Sequence, residues 1–170
     1  MNRRECRDIT LIILFLLMII MQGCAEKSPD QQPIGLFSGD GFFIGNEGNF
    51  RSGNGSLSFY SYDSLRVYNN LFSEVNGRPA GDVLNDIAIY GDYLFMVVNN
   101  SGKIEVADAL TLESVTSVTG LISPRNITFI SETKAYISSL YSDSLIIFNP
   151  AGFIIEGYIN IGRTSEYITV

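Results

Sequence analysis

"DIAIYGDYLFMVVNNSGKIEVAD", residues 86–108, recurs in altered form 40 positions later as "NITFISETKAYISSLYSDSLIIFN", residues 126–149. Apolar residues of the two segments coincide at four aligned pairs: Ile87 with Ile127, Ile89 with Phe129, Phe95 with Tyr136, and Ile104 with Leu145. A period near 40 residues with four strand-like segments in each unit is typical of the blades of a β-propeller. The repeat therefore predicts an all-β chain built from four-stranded antiparallel blades.

The residue types within one unit support this interpretation. Strands are predicted at 86–90, 93–99, 103–108 and 114–118, where Val, Ile, Tyr and Phe are frequent and "GD" and "NNSG" provide turns. "YLFMVV" is apolar on both faces, which favours a propeller blade, covered on both sides, over one sheet of a two-sheet sandwich. No stretch after residue 30 has sustained helical periodicity with caps, which agrees with an all-β fold.

Three units and the beginning of a fourth can be counted. The predicted blades span about residues 39–82, 83–122 and 125–163, and "EYITV" at 166–170 is predicted as the first strand of another blade. Propellers close with 4 to 8 blades, so this chain would supply about three blades of a larger ring. We expect the folded region, 35–170, to be the amino-terminal part of a longer propeller.

"GNEGNFRSGNG", residues 45–55, is a glycine-rich segment between two strand-like stretches. It lacks the Lys-Ser/Thr ending of a phosphate-binding P-loop and has no helix after it. Alignment of "SLSFYS", from Ser56, with "KIEVAD", from Lys103, makes it the turn between the second and third strands of the first blade. This turn is longer than its counterpart in the second blade.

The first 34 residues have the features of an exported, lipid-anchored chain. Three arginines precede an apolar run from Ile9 to Met21, which is too short for a comfortable membrane span of about 20 residues. The "MQGC" that follows resembles the lipobox of bacterial lipoproteins. The resemblance implies a signal peptide at 1–23, acylation of Cys24, and a polar tether at 24–34.

Composition excludes several kinds of site. The chain has no histidine, and its cysteines are Cys6, in the predicted leader, and Cys24, the predicted lipid attachment point. The usual Ser-His-Asp site, thiolate zinc sites and disulfides are thereby excluded from the mature chain. Its net charge of −8 after removal of the leader makes nucleic acid an unsuitable partner.

Five motifs in one order resemble the YncE-like β-propeller surface lipoproteins of Gram-negative gut-type bacteria: "NEGNF", "GNGSLSFY", "VNGRPAGDV", "VVNNSGKIEV" and "GLISPRNITFI". Some members of that family are cobalamin-capturing proteins of the BtuG type, which pass the vitamin to a TonB-dependent outer-membrane transporter. The resemblance implies a propeller of seven blades, of which this chain has about three. It also implies an outer-membrane lipoprotein exposed at the cell surface, with a corrinoid or glycan ligand and such a transporter as partner.

In a four-stranded blade, the loop between the second and third strands emerges on one rim. The loop from the fourth strand to the first strand of the next blade emerges on the same rim. Polar and aromatic residues of these loops are the predicted ligand-binding set: Asn46, Glu47, Asn49, Phe50, Arg51, Arg78, Asn99, Asn100, Arg125 and Tyr141. The same rim includes Asp82, Ser123, Asp143, Arg163 and Glu166. Amides, arginines and aromatic rings suit a polar, planar ligand, although Asn, Gly and Asp are also the residues that tight turns need.

The function predicted from the sequence is ligand binding on a propeller face in support of nutrient uptake, without a cofactor and without enzymatic activity. A protein-interaction scaffold and a truncated, non-functional remnant are alternatives. A hydrolase or lyase is a third alternative function. Asp86, Asn126 and Glu166 lie near the starts of the predicted innermost strands, and their side-chain oxygens could bind calcium. Turn residues that cap the blades are the favoured interpretation of those three positions.

Overall fold

The computed structural model describes residues 40–170, which form three antiparallel sheets and one short helix. The predicted signal peptide, Cys24 and the tether lie outside the described residues. Within the described part of the chain, no helix has the length and apolar character needed to cross a membrane.

The second and third sheets each have four strands in sequence order. The second comprises β4 (Leu84–Tyr90), β5 (Tyr93–Val98), β6 (Lys103–Asp108) and β7 (Ser114–Thr119). The third comprises β8 (Pro124–Ser131), β9 (Lys134–Ser139), β10 (Ser144–Asn149) and β11 (Ile154–Asn160). The strands predicted for the repeated unit are confirmed in the second sheet, with ends that differ by at most two residues.

The first sheet has three strands, β1 (Gly41–Asn46), β2 (Ser56–Ser61) and β3 (Arg66–Tyr68). β1 and β2 pair continuously from Gly41 opposite Ser61 to Asn46 opposite Ser56, so residues 47–55 form the hairpin loop. The pairing confirms that the glycine-rich segment is a turn between two strands of the first sheet, and the described residues of this sheet include three strands in place of the four predicted for a blade.

A six-residue helix, α1 (Leu71–Asn76), follows β3, and it is too short to have the sustained periodicity by which a helix is recognised in a sequence. The left-handed residues Asn70 and Gly77 lie at its two ends. Leu71 and Phe72 are buried beside the first and second sheets, which explains why so short a helix forms. Tertiary packing, rather than helical periodicity, stabilises it.

The second sheet lies between the other two and contributes to two hydrophobic cores. Alternate residues of β5 point in opposite directions, as strand geometry requires. Leu94, Met96 and Val98 pack with the first sheet and α1, whereas Phe95 and Val97 pack with the third sheet. A sheet covered on both faces is the arrangement that the apolar "YLFMVV" predicted.

Residues 166–170 do not form a regular strand, which corrects the sequence-based prediction. The segment nevertheless lies beside the third sheet, where the amide of Ile168 donates to Asn126 Oδ1 (3.1 Å) and Thr128 Oγ1 donates to the Ile168 carbonyl (2.9 Å). Side chains provide these bonds, so no β-ladder is completed. Its position still corresponds to the beginning of another inner strand.

Candidate functional site

The loops at one end of the three sheets contact one another directly. The amide of Arg51, in the 47–55 loop, donates to Asp82 Oδ2 (2.9 Å), and the amide of Asn100 donates to the Asp82 carbonyl (3.1 Å). The Leu121 amide donates to the Gly102 carbonyl at 2.9 Å, which connects the next pair of loops. These bonds bring loops from neighbouring blades onto one surface, called here the loop rim.

The 47–55 loop is held in a defined shape by its own residues and by the entry to the second sheet. Asn54 Oδ1 accepts from the Asn49 amide (2.8 Å), and the Gly55 amide donates to the Gly81 carbonyl (2.8 Å). Gly48 has a φ of 76°, and a Cβ there would lie 2.5 Å from Asn54 Oδ1. Glycine at position 48 therefore allows the two sides of the loop to approach each other closely. The bond from Gly55 to Gly81 attaches the loop to the segment before β4.

Aromatic side chains project from the loop rim at two places. Phe50, at the tip of the 47–55 loop, is 64% exposed, and the guanidinium of Arg51 lies 5.2 Å from the centre of its ring. Tyr141, in the loop between β9 and β10, is 75% exposed. These rings are large apolar surfaces that a flat ligand could contact, and Arg51 adds a positive charge.

Several amides of the predicted set are used within the fold. Asn46 Nδ2 donates to Ser58 Oγ (2.8 Å), Asn99 Nδ2 donates to the Pro124 carbonyl (2.9 Å), and Asn100 Nδ2 donates to Asp82 Oδ2. Their side chains connect strands and loops, as turn residues commonly do. They shape the loop rim and leave fewer groups for a ligand than the sequence indicated.

Arg78 does not lie with the exposed rim residues. Its guanidinium donates to both carboxylate oxygens of Glu105, at 2.7 and 3.2 Å, and to Ser114 Oγ at 3.0 Å. Ser114 is the first residue of β7. It lies at the opposite end of that strand from Thr119, which is next to the loop rim. Arg78 therefore forms an ion pair with Glu105, whose side chain is fully buried in the second sheet.

The buried Glu105 carboxylate is fully satisfied. Lys103 Nζ, Ser114 Oγ and Ser117 Oγ also donate to it, the two hydroxyls each at 2.6 Å. Burial alone would raise the pKa of Glu105, but the bonds from Arg78, Lys103 and the serines outweigh it and lower the pKa to about 2. Glu105 is a stably ionised structural group.

The three oxygen-bearing residues considered for calcium do not converge on a common point. Asp86 Oδ2 accepts from Asn126 Nδ2 (2.8 Å) and from the Ile127 amide (3.0 Å), while Glu166 forms an ion pair with Arg125 at 2.7 Å. Among the described residues, no group of three or more acidic, histidine or cysteine side chains could hold a metal ion. Asp86, within β4, and Asn126, within β8, instead connect successive inner strands through their side chains, so neither is a turn residue.

Residues 40–167 match the family described as a domain of unknown function, DUF5074. The chain belongs to the DUF5074 family. Among curated proteins, no significant match was found.

Two solved structures similar to this DUF5074 chain, with TM-scores of 0.50 or more, support its propeller architecture. Hydrazine synthase of Kuenenia stuttgartiensis has a TM-score of 0.58 at 15% identity, over 84% of this chain and 40% of that chain. U3-55K has a TM-score of 0.50 at 21% identity, over 61% of this chain and 32% of that one. A structure of RRP9 WD40 repeats, at 20% identity, has a TM-score of 0.49 over the same shares.

The likeness to hydrazine synthase and to U3-55K identifies the fold and nothing more specific. The three antiparallel sheets, stacked through apolar faces, are β-propeller blades. The DUF5074 chain spans 40% or less of the length of each of these structures.

Sequence reasoning missed a groove between the second and third blades at the loop rim. Its volume is about 120 Å³, and its lining consists of Gly120, Leu121, Ile122, Ser139, Ser142, Ile146 and Tyr158. Two large apolar residues of this lining, Ile122 and Tyr158, are exposed. Whether an apolar residue at a blade junction is exposed depends on how two sheets are arranged. The sequence pattern of a single strand does not show that arrangement.

Proposed function

We propose that this DUF5074 chain belongs to a lipid-anchored protein of the bacterial outer-membrane surface that binds a ligand at its loop rim. The ligand class that fits best is a polar, planar molecule with an anionic group, such as a corrinoid or a glycan with a charged substituent. Delivery of this ligand to a TonB-dependent transporter would complete the role. The lipobox-like "MQGC" and the family resemblance support the anchoring and the transporter.

The observation that carries the proposal is the exposed Phe50–Arg51 pair on an anchored loop. A hairpin with Asn46 opposite Ser56 could be closed by far fewer residues than 47–55. The extra residues place a ring and a cation in solvent, and the bond from the Arg51 amide to Asp82 limits their motion. Pre-organised aromatic and charged groups lose little conformational entropy when a ligand binds.

Tyr141 and the groove beside it supply a second contact region on the same rim. Tyr158 and Ile122 offer apolar surface, and the hydroxyls of Ser139 and Ser142 are near it. A mostly apolar cleft with a few polar groups is typical of small-molecule sites. Between the two contact regions lie Asn100, in the β5–β6 turn, and Asp82, just before β4, and the hydrogen bond between their side chains joins these two polar segments.

Calorimetry on the full chain in mild detergent tests the proposal, with cobalamin and a panel of charged glycans as the probes. Replacement of Phe50 and Arg51 by alanine should weaken binding by about tenfold or more, because a ring contact and a charge are both lost. Tyr141→Ala should weaken it to a smaller extent. Leu65→Ala is the matched control, since Leu65 is 72% exposed on the β2–β3 turn at the opposite end of the sheet.

Absence of binding heat with every probe, or equal affinity of the Phe50/Arg51 variant and the Leu65 variant, would contradict the rim proposal. A surface scaffold for protein contacts would then be the better interpretation. Capture of a TonB-dependent transporter from outer membranes by the wild-type chain, with capture lost in the Tyr141 variant alone, would favour that alternative.

A further inference from the structure

The two junctions between neighbouring blades differ in the segment that connects the blades. At the first junction, residues 69–83 connect β3 to β4 and include α1, whereas at the second, residues 120–123 connect β7 directly to β8. The longer connection carries Arg78, whose guanidinium bonds to the buried Glu105 and lies 5.1 Å from the centre of the Phe72 ring. The first junction is therefore occupied by a side chain of the connection itself.

The groove at the second junction lies at the same place in the repeat. In the aligned sequences, Ile146 occupies the position of Glu105. The cross-strand partner of Glu105 is Ser117 and that of Ile146 is Tyr158, so the partners are equivalent as well. Ile146 and Tyr158 line the groove. The groove is thus the counterpart of the space that the Arg78 side chain occupies at the first junction, and the short connection lines it without filling it.

The size and lining of the groove suit a single flat ring. Its volume is about 120 Å³, and an apolar cavity of about 150 Å³ lined by Leu, Ile and Phe binds benzene. Leu121 and Ile146 are buried parts of the lining, whereas Ile122 is 59% exposed and Tyr158 is 63% exposed. A flat ring that lies against Tyr158 removes this aliphatic and aromatic surface from water, which favours binding.

The hydroxyl groups of the lining offer little to a ligand with many polar atoms. Ser139 Oγ already donates to the Ile122 carbonyl (2.6 Å). Ser142 Oγ accepts from the Ser144 amide (3.2 Å), and within residues 40–170 no hydrogen bond uses its hydroxyl proton. The groove can therefore satisfy one hydrogen-bond acceptor at the edge of a bound group. A sugar ring would bury several hydroxyls here without partners, which opposes its binding.

We propose that the groove at the second junction binds an aromatic ring of the ligand, with a hydrogen-bond acceptor at the edge of that ring bound by the Ser142 hydroxyl. This inference rests on the proposed function and narrows its ligand class to an aromatic or heteroaromatic group joined to an anionic part, in preference to a glycan. Arg51 contacts the anionic part and Tyr158 the ring, so the two contact regions of the loop rim recognise different parts of one molecule.

Nuclear magnetic resonance of isoleucine methyl groups tests the groove in the full chain in mild detergent. Benzamide is the probe, because it is a water-soluble aromatic ring with an amide acceptor at its edge. Cyclohexanecarboxamide is the saturated ring of similar size, and methyl glucoside is the hydroxylated ring. Benzamide should shift the methyl resonances of Ile122 and Ile146 in a saturable manner. The other two compounds should bind about threefold more weakly or less, since neither has an aromatic face for Tyr158.

Substitutions in the groove test the two contacts separately. Tyr158→Ala should weaken benzamide binding about fivefold, because the ring contact is lost. Ser142→Ala should weaken it about threefold through loss of one hydrogen bond. Ile154→Ala is the matched control and should leave the affinity unchanged, since Ile154 is 53% exposed at the end of β11 that is away from the loop rim. Circular dichroism of every variant separates loss of binding from loss of folding.

Equal affinity for benzamide and cyclohexanecarboxamide overturns the proposal, as does equal affinity of the Tyr158 and Ile154 variants for benzamide. Methyl resonances that do not shift, or shift without saturation, overturn it too. Tighter binding of methyl glucoside would overturn it in favour of a glycan. Benzamide has no anionic group, so its binding reports on the groove alone, whereas calorimetry on the Phe50/Arg51 variant reports on the other contact region. Failure of this inference and failure of the proposed function are therefore distinguishable.

Discussion

At the scale of single residues, Glu105 links pH to stability. Its folded pKa of about 2 is below the value near 4.5 of an exposed glutamate, so ionised Glu105 stabilises the fold above pH 4.5. As the pH falls through that window towards 2, the stabilisation disappears. We expect the free energy of unfolding to decrease by about 3 kcal/mol between pH 5 and pH 2 because of this group, in urea titrations.

Glu105→Gln is the matched variant for this effect. It preserves the size of the side chain and removes the charge, so it leaves Arg78 and Lys103 without their anionic partner. The variant should be less stable at pH 7 and should show a smaller decline in stability between pH 5 and pH 2 than the wild type. A decline of equal size in both proteins would assign the pH dependence to other carboxylates.

Asp82 is the residue that attaches the long loop to the second blade. Its Oδ2 accepts from the Arg51 amide and from Asn100, so Asp82→Ala removes both hydrogen bonds, at a cost of about 1 kcal/mol because the two donors remain accessible to water. Asp82→Asn retains an acceptor oxygen and should cost less. Hydrogen exchange at the Arg51 amide measures the effect directly, and equal exchange rates in wild type and Asp82→Ala would show that the loop is held by other bonds.

At the scale of elements, strands were predictable and the irregular pieces were not. The strands of the second sheet follow from alternation and turn residues, because burial on two sides makes "YLFMVV" apolar throughout. The helix α1 has six residues, too few to show a helical period, and its formation depends on the pocket that receives Phe72. Residues 166–170 have strand-like composition, but a ladder also needs a partner with free backbone groups.

The same distinction applies to the candidate site. Topology brought the predicted loops to one rim, because the path of the chain through each blade fixes where its loops emerge. Whether each side chain is free for a ligand depends on neighbours distant in sequence. Arg78 pairs with Glu105, and Arg125 pairs with Glu166. No local pattern contains those partners.

Helix α1 makes a testable contribution through Asn76. Its Nδ2 donates to the Leu112 carbonyl (2.8 Å), and its Oδ1 accepts from the Ser114 amide (2.8 Å), so it holds the β6–β7 loop. Asn76→Ala should reduce stability by about 1 to 3 kcal/mol in thermal or urea unfolding. Glu74→Ala, at an exposed position of the same helix, is the control, and equal stability of the two variants would mean that the helix is held by Leu71 and Phe72 alone.

At the scale of the whole molecule, the second sheet makes the two hydrophobic cores interdependent. One side of β5 belongs to the core shared with the first sheet and the other side to the core shared with the third. Loss of either core exposes one face of the same strand. The chain should therefore unfold in one transition, although its blades are sequential repeats that could in principle separate one at a time.

Truncation of one residue in each core tests this coupling. Met96→Ala, in the core with the first sheet, should cost about 2 to 5 kcal/mol, and Phe148→Ala, in the core with the third, about 3 to 5 kcal/mol. Because the wild-type chain is expected to have about 5 to 15 kcal/mol of stability, each change should shift the single transition markedly. Amide exchange in β5 should accelerate in both variants, while Val115→Ala, on the exposed face of β7, should alter neither. If Phe148→Ala accelerated exchange in β8–β11 and left β5 protected, the third blade would be an independent unit and the shared sheet would not couple the cores.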